Sequence, residues 1–279
     1  MNQPLHFTAA IQRFERYLIT EEKSAATIEK YQRDIRCFYK FLSDRDIRKE
    51  ETIAYKEYLT ARYAPASVNS MLVALNCFLR FIGLRDCCVK LLKIQRQIFS
   101  REDKELTKAE YHRLVMAAQG NRLSLVIQTI CGTGIRVSEL QYITAEAVQA
   151  GKAVVNCKNK TRVIFIPTSI QKLLKPYMKK AGITAGAVFV TKSGKPLNRR
   201  NIWRDMKALC ERAGVSQKKV FPHNLRHLFA RTFYRVEKDI VRLADLLGHS
   251  SIDTTRIYTV ETGDEHRLLL ERVEKLLRT

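Results

Sequence analysis

The sequence predicts a mainly α-helical fold with one small β-sheet, divided into an N-terminal helical bundle and a C-terminal α+β domain. Apolar residues recur at helical spacing through the first 85 residues, and a stretch without a clear period follows. The remaining chain reads as helices around a single pair of β-prone runs. With 279 residues, 46% of them hydrophobic, the chain can form two cores. We therefore predict domains at 1–86 and 105–279, joined by a linker at 87–104.

Two amphipathic helices dominate the predicted bundle. Residues 24–42 place their apolar side chains on one stripe, and residues 65–82 do the same. Pro65 is typical of a first helical turn, where its missing N–H costs nothing. Weaker helical patterns cover 5–19 and 48–62, which gives a four-helix bundle with basic residues on its outside.

The second domain begins with a helix and contains the only β-prone pair. Thr107 and Glu110 form a capping box, which marks a helix start. The runs 153–157 and 163–166 flank a polar segment and predict a β-hairpin, and 188–191 is expected to add a strand. Further helices are predicted over 168–181, 198–213, 223–235, 238–247, 251–260 and 264–277.

Two features of this domain carry structural expectations. The single tryptophan, Trp203, is expected in the core. The helix at 264–277 is amphipathic, so its apolar stripe packs either on its own domain or on a neighbouring protomer. The sequence leaves these two alternatives open.

The charge of the chain favours a polyanionic partner. Lysine and arginine number 50 against 28 acidic residues, and the formal net charge is +22. Such an excess repels itself in a compact protein and is usually kept for nucleic acid. Solubility or association with ribosomes is the alternative explanation of the same charge.

The cysteines and the hydropathy indicate where the protein works. Seven cysteines are an odd number, and their spacing fits neither a zinc site nor a disulfide framework, so we expect reduced, mostly buried thiols. The start of the sequence lacks an apolar signal stretch, and no run of about 18 apolar residues occurs. These observations predict a soluble cytoplasmic protein without a membrane partner.

Three short motifs supply the groups that phosphoryl transfer without a metal requires. Such a reaction needs a nucleophile, cations around the phosphate oxygens, a base and an acid. Carboxylate clusters typical of metal-dependent nucleases are not found in the sequence. Arg136, with Glu139 three residues later, could hold a phosphate at a helix start. An ordinary surface arginine is the alternative.

The other two motifs add histidines, a second arginine and a tyrosine. His223 and Arg226 share one face of a helix at i, i+3 spacing, although a capped helix start would look the same. His249 follows a helix-ending glycine, and Tyr258 comes nine residues later. A phenol with an ordinary pKa near 10 becomes a nucleophile only beside cations and a base. The alternative is a core tyrosine packed by its ring.

Taken together, these motifs resemble the tyrosine recombinase (phage integrase) family, in particular its simple two-domain Xer-like members. The order and spacing of all three agree, and the first 86 residues resemble the family's helical core-binding domain, a SAM-like DNA-binding bundle. The motifs are Thr133–Leu140, His223 with Arg226 and His227, and Leu247–His249 followed by Tyr258.

The resemblance implies a role for each matching residue. Arg136 and Arg226 would bind the scissile phosphate, His223 would act as base, and His249 would donate a hydrogen bond to the phosphate. Tyr258 would form a 3′-phosphotyrosyl bond and release a 5′-hydroxyl. Glu139 would support the site, and His227 is expected to lie behind it.

The family also has a lysine in its β-hairpin turn, which protonates the leaving 5′ oxygen. Its common pattern is Gly-Lys-Gly-x-Lys-x-Arg, whereas this chain reads from Cys157 to Arg162 without either glycine and one residue shorter. We choose Lys158 as the catalytic lysine because it directly follows the first strand. Lys160 remains the alternative, and either lysine could instead contact the DNA backbone.

The resemblance therefore implies a metal-independent enzyme that needs no cofactor and acts on double-stranded DNA. A homotetramer on paired recombination sites would integrate, excise or resolve a mobile element or replicon, and the sequence leaves the need for accessory proteins open. Type IB topoisomerase activity is one rival. A DNA-binding regulator that lost cleavage and a basic scaffold protein are the others.

Overall fold

A computed structural model describes residues 3–43, 45–94, 104–157, 160–191, 193–258 and 263–278. Only the backbone is described at 3–8, 157, 160, 263–266, 268 and 269. Contacts divide the chain into two compact units, Met1–Arg96 and Gln97–Thr279. No helix among the described residues has both the length and the apolar character that crossing a membrane requires.

The first unit contains the four predicted helices. Ser24 caps the second helix by accepting a hydrogen bond from the backbone of Thr27, and Pro65 opens the fourth. Aromatic and aliphatic side chains from the helices form one core, which includes Phe14, Phe38 and Phe78. The helices are α1 (Gln3–Thr20), α2 (Ala25–Leu42), α3 (Lys49–Thr60) and α4 (Pro65–Phe81), followed by a 3₁₀ turn at Arg85–Cys87.

The chain after this turn still packs on the bundle. The Asn76 amide accepts a hydrogen bond from the backbone N–H of Val89 and donates one to its carbonyl. Asn69 makes the same pair with Leu92. The first part of the predicted linker is therefore attached to the first unit, while 95–103 lies outside the described residues. The limits 1–86 and 105–279 stay a prediction.

The second unit is helical around one hairpin. The Thr107–Glu110 capping box is present at its first helix. The α-helices are α5 (Lys108–Ala117), α6 (Arg122–Thr133), α7 (Ala145–Ala150), α8 (Thr168–Lys180), α9 (Arg199–Ala208), α10 (Cys210–Ala213), α11 (Pro222–Glu237), α12 (Ile240–Leu247) and α13 (Gly263–Leu277). Among the described residues, 3₁₀ segments span Val137–Tyr142, Ile252–Thr254 and Arg256–Tyr258.

The described part of the chain forms one two-stranded sheet. β1 (Lys152–Cys157) pairs antiparallel with β2 (Lys160–Phe165). The predicted third strand at 188–191 is wrong. Only isolated bridges form there, and one of them pairs Val190 with Pro196, whose missing N–H cannot extend a ladder.

Three further expectations need correction. The predicted helix at 251–260 consists, where it is described, of two 3₁₀ turns. Trp203 is 50% exposed and lies outside the core. The cysteines are not mostly buried: among the six whose side chains are described, only Cys210 is buried. All six are free thiols.

Candidate active site

Arg136 is positioned by a tight turn after α6. The helix ends at Gly134, whose φ of +67° suits glycine, and a Cβ there would lie 2.4 Å from the ring of Phe229. Arg136 is then the N-cap of the 3₁₀ segment Val137–Tyr142, where the sequence suggested an α-helix. Its side chain is 41% exposed, so the guanidinium can reach a ligand outside the protein.

Glu139 connects two arginines inside the second unit. Its buried carboxylate accepts hydrogen bonds from the Arg136 guanidinium at 2.9 Å and from the Arg136 backbone at 2.7 Å. The guanidinium of Arg162 donates to it at 2.5 Å. Burial alone would raise the pKa of Glu139, but these donors hold it below its usual value. The carboxylate therefore stays ionised and braces Arg136, as predicted for its support.

Arg226 lies at the centre of the cluster. Helix α11 begins at Pro222 and buries this side chain, which is 1% exposed. Its two terminal nitrogens donate at 2.7 Å to the carbonyls of Gly134 and Leu247, and one lies 3.0 Å from Nε2 of His249. Burial, with the nearby charge of Arg136, lowers the pKa of Arg226 to about 10, so it remains a cation at neutral pH.

His249 is neutral and its tautomer follows from its partners. Because a guanidinium can only donate, Nε2 accepts from Arg226, and the proton on Nδ1 is donated to Thr255 Oγ1 at 2.8 Å. Burial and the charge of Arg226 lower the pKa of His249 to about 4. Donation from Nε2 to a phosphate, the role implied by the resemblance, therefore requires a second proton or a turn of the ring.

Tyr258 is buried by its ring and borders the charged cluster. It is 3% exposed and packs with Ala230, Leu243 and Leu247. Its ring stacks on His249 with centroids 6.0 Å apart. Burial raises the pKa of the phenol, and the opposing effect of Arg226 and Arg136 does not overcome it. The core-tyrosine interpretation thus describes the ring correctly, while the phenol oxygen is hydrogen-bonded to Arg226 at the edge of the charged cluster.

A second histidine, His227, contacts Tyr258, and His223 packs against His227. The ring centroid of His227 lies 4.8 Å from that of Tyr258 and 4.5 Å from that of His223, and both pairs are T-shaped. His223 itself is exposed. Burial and the charges of Arg226, Arg136 and Arg199 lower the pKa of His223, so it is a neutral proton acceptor. Burial also lowers the pKa of His227, to about 4.

The structure brings together five of the six predicted site residues. They come from four separate segments of the chain and lie together in one cluster of cationic and aromatic side chains: Arg136, His223, Arg226, His249 and Tyr258. Lys158 and the side chain of Lys160 lie outside the described residues. Two further residues support the cluster through contacts that the sequence does not predict: Thr255 fixes the His249 tautomer, and Arg162 bonds to Glu139.

Comparisons with known proteins identify the family to which both parts of the chain are similar. Residues 104–264 match the family described as "Phage integrase family", and residues 11–85 match "Phage integrase, N-terminal SAM-like domain". The tyrosine recombinase XerA of Thermococcus kodakarensis is 30% identical, over 96% of this chain and 97% of that protein. The tyrosine recombinase XerD of Halalkalibacterium halodurans is 29% identical, over 96% and 94%.

Solved structures show the same fold. A crystal structure of XerA recombinase has a TM-score of 0.54 at 27% identity, covering 95% of this chain and 98% of that one. A lambda integrase tetramer bound to a Holliday junction has a TM-score of 0.72 at 20% identity, covering 90% and 76%. The family match spans more than half of the sequence and the XerA relative spans nearly all of it. The chain therefore belongs to the phage integrase family, the tyrosine recombinases, and is a site-specific recombinase that cuts and rejoins DNA.

Proposed function

We propose that Tyr258 is the nucleophile of this recombinase and that the cluster around it binds the scissile phosphate. The observation that carries the proposal is the placement of Tyr258: its ring contacts His227 and His249, and its phenol oxygen is hydrogen-bonded to Arg226. In this proposal Arg136 and Arg226 bind the non-bridging oxygens, where negative charge increases during transfer.

The proposed reaction balances without an added cofactor. The Tyr258 oxygen bonds to phosphorus while His223 takes its proton, directly or through water. The bond to the 5′ oxygen breaks, and Lys158, or Lys160, protonates that oxygen. A 3′-phosphotyrosyl link and a free 5′-hydroxyl result, and attack by a 5′-hydroxyl from a partner duplex reverses each step. The energy of the phosphodiester is retained, so no metal or nucleotide is required.

His249 requires a change of protonation to take its proposed role. The negative phosphate would raise the pKa of His249 from about 4, because it offsets the charges that now lower it. A protonated ring donates from both nitrogens, to Thr255 and to the phosphate. DNA binding should therefore take up a proton near neutral pH.

The proposal is tested with Tyr258→Phe. The variant should bind DNA as tightly as the parent and form no covalent adduct, because only the nucleophilic oxygen is removed. Tyr234→Phe is the matched control, since Tyr234 packs against the same apolar cluster and should leave adduct formation intact. Undiminished protein–DNA adduct on a denaturing gel with Tyr258→Phe would refute the assignment, and a parent enzyme that binds DNA without any adduct would favour a regulator.

We also propose that four protomers assemble on two paired sites to integrate, excise or resolve a mobile element or replicon. Four apolar side chains of α13 are exposed in the single chain, which is expected if this stripe packs on a neighbouring protomer: Leu270, Val273, Leu276 and Leu277. Sedimentation on DNA with two sites tests this. Replacing Leu276 and Leu277 by aspartate should block pairing of sites and leave binding to one site intact. Because its substrate is DNA, we place the protein in the cytoplasm.

A further inference from the structure

The described part of the hairpin that carries both candidate lysines is joined to neighbouring segments by side-chain hydrogen bonds at Asn156 and at Arg162. β1 and β2 pair only with each other among the described residues, so no further strand holds them. Tyr142 Oη donates to the carbonyl of Asn156 on β1 at 2.9 Å, at an exposed position. On β2 the corresponding contact is made by Arg162, whose side chain is only 13% exposed.

Arg162 joins β2 to two other parts of the site. One terminal nitrogen donates to Glu139, which also holds Arg136. The other donates to the carbonyl of Leu246, at the end of α12. The side chain also lies against Gly248, where an added Cβ would be 2.4 Å from Cδ of Arg162. Glycine before His249 is thus required both by its φ of +64° and by this arginine.

These contacts fix the strand next to the lysine turn. Arg162 lies two residues after Lys160 on β2, and a strand rises about 3.3 Å per residue, so its contacts lie about 7 Å along the strand from Lys160. A general acid must lie within hydrogen-bond reach of the leaving oxygen, and a misplacement of about 1 Å can cost two orders of magnitude in rate.

We infer that Arg162 is a positioning residue that places the hairpin lysine against the leaving 5′ oxygen while it braces Glu139. The inference rests on the proposed function, since it needs a lysine that acts as acid. The charge of Arg162 alone would not place the lysine, because a charge acts on the phosphate. The contacts of Arg162 to Leu246 and Gly248 act on the position of the strand.

The test compares two suicide DNA substrates, one with the natural 5′ oxygen and one with 5′ sulfur at the scissile bond. Sulfur leaves as a thiolate and needs no proton, so loss of the acid is rescued by the sulfur substrate. Arg162→Met keeps an unbranched stem and removes the guanidinium. It should cleave the oxygen substrate about 100-fold more slowly, a typical loss for a general acid, and the sulfur-to-oxygen rate ratio should rise at least about tenfold.

Controls separate positioning from other defects. Arg136→Gln weakens phosphate binding and should leave the ratio unchanged, while Tyr142→Phe should raise it less than Arg162→Met does. If Arg162→Met does not fold, Arg162→Lys carries the test, because it keeps the charge and loses the two-way contact. The positioning role alone is overturned if the sulfur-to-oxygen rate ratio is unchanged in the folded Arg162 variant but raised in Lys158→Ala or Lys160→Ala. If neither lysine variant raises the ratio, the hairpin acid and the role of Arg162 both fall.

Discussion

The two units of this recombinase use buried polar side chains in different ways. In the helical bundle, Asn76 and Thr52 bond to backbone groups of the segment that follows α4. In the catalytic unit, Glu139 and Arg226 bond to charged side chains, histidine and loop carbonyls around Tyr258. These buried side chains therefore close the fold in one unit and build the candidate reaction site in the other.

This difference separates the expected effects of substitution. A charged group taken out of water is costly unless its partners remain in place, so the catalytic cluster couples stability to chemistry. A neutral amide that satisfies backbone groups contributes to stability only. Substitutions in the two units should thus fall into distinct classes, and the expected effects below run from the largest to the smallest.

The largest effect is expected at the two phosphate-binding arginines. Arg226→Gln and Arg136→Gln should each lower the single-turnover cleavage rate by about 100-fold or more, as is typical when a transition-state charge loses its donor. Arg226→Gln should also destabilise the unit by about 3 kcal/mol, because the carbonyls of Gly134 and Leu247 lose buried donors. Arg136→Gln should destabilise it less, because the buried Glu139 carboxylate keeps its bond to Arg162. Suicide-substrate kinetics and urea unfolding measure both quantities. Equal destabilisation by the two variants would show that burial does not distinguish these arginines.

A smaller effect, on stability alone, is expected in the bundle. Asn76→Ala removes both hydrogen bonds to Val89 and should lower the free energy of unfolding of the bundle by about 2 kcal/mol. Asn69→Ala makes the same change at a less buried pair and should cost less. Native-state hydrogen exchange measures this for each unit, since two units need not unfold together. Cleavage at saturating DNA should not change, and a loss there would erase the contrast between the units.

Much of this organisation could be predicted from local sequence patterns. Apolar periodicity and capping residues such as Ser24 and Thr107 act over a few residues, and they located the helices well. The residues of the candidate site could be predicted because the order and spacing of the three motifs match those of the family. A strand is predicted at 188–191 because the run itself favours β structure. Its bridge partner is Pro196, and the run carries no information about that partner.

The remainder depends on contacts that only the folded chain shows. Arg162 looks like an ordinary strand arginine until Glu139 and Gly248 are placed beside it. The segment before Tyr258 has helical spacing, yet Ser251 caps a 3₁₀ turn there and Thr255 turns its hydroxyl to His249. Such details depend on partners far along the sequence, and periodicity carries no information about them.

The next effect is a pH dependence confined to the catalytic unit. His227 and His249 have pKa values of about 4 in the folded protein, below the ordinary value of 6.5. The unfolded chain therefore binds more protons between pH 4 and 6.5, and stability is lost as the pH falls through this window. From pH 7.5 to 5.5 the loss should be about 1 kcal/mol per histidine.

Unfolding at several pH values, followed by hydrogen exchange, checks this dependence. His227→Gln should reduce it, while His249 and His223, whose pKa values are also lowered, still contribute. The bundle's sequence contains one histidine, His6, so the bundle should lose less stability over the same range. An equal fall in the stability of both units would point to a general charge effect in place of the two buried rings.

The smallest effect concerns DNA affinity through the bundle. Arg33, Arg36 and Lys40 are exposed along one face of α2, at i, i+3 and i+7. If this face lies on phosphates, Arg36→Gln should reduce the slope of log K against log salt by about 0.9, because one counterion fewer is released. Cleavage at saturating DNA should remain that of the parent, since the residues proposed for catalysis all belong to the second unit. Arg16→Gln, on α1, removes the same charge from another helix and should change the slope less. Equal slopes for Arg36→Gln and Arg16→Gln would mean that the net charge of the bundle attracts the DNA and that no particular face does.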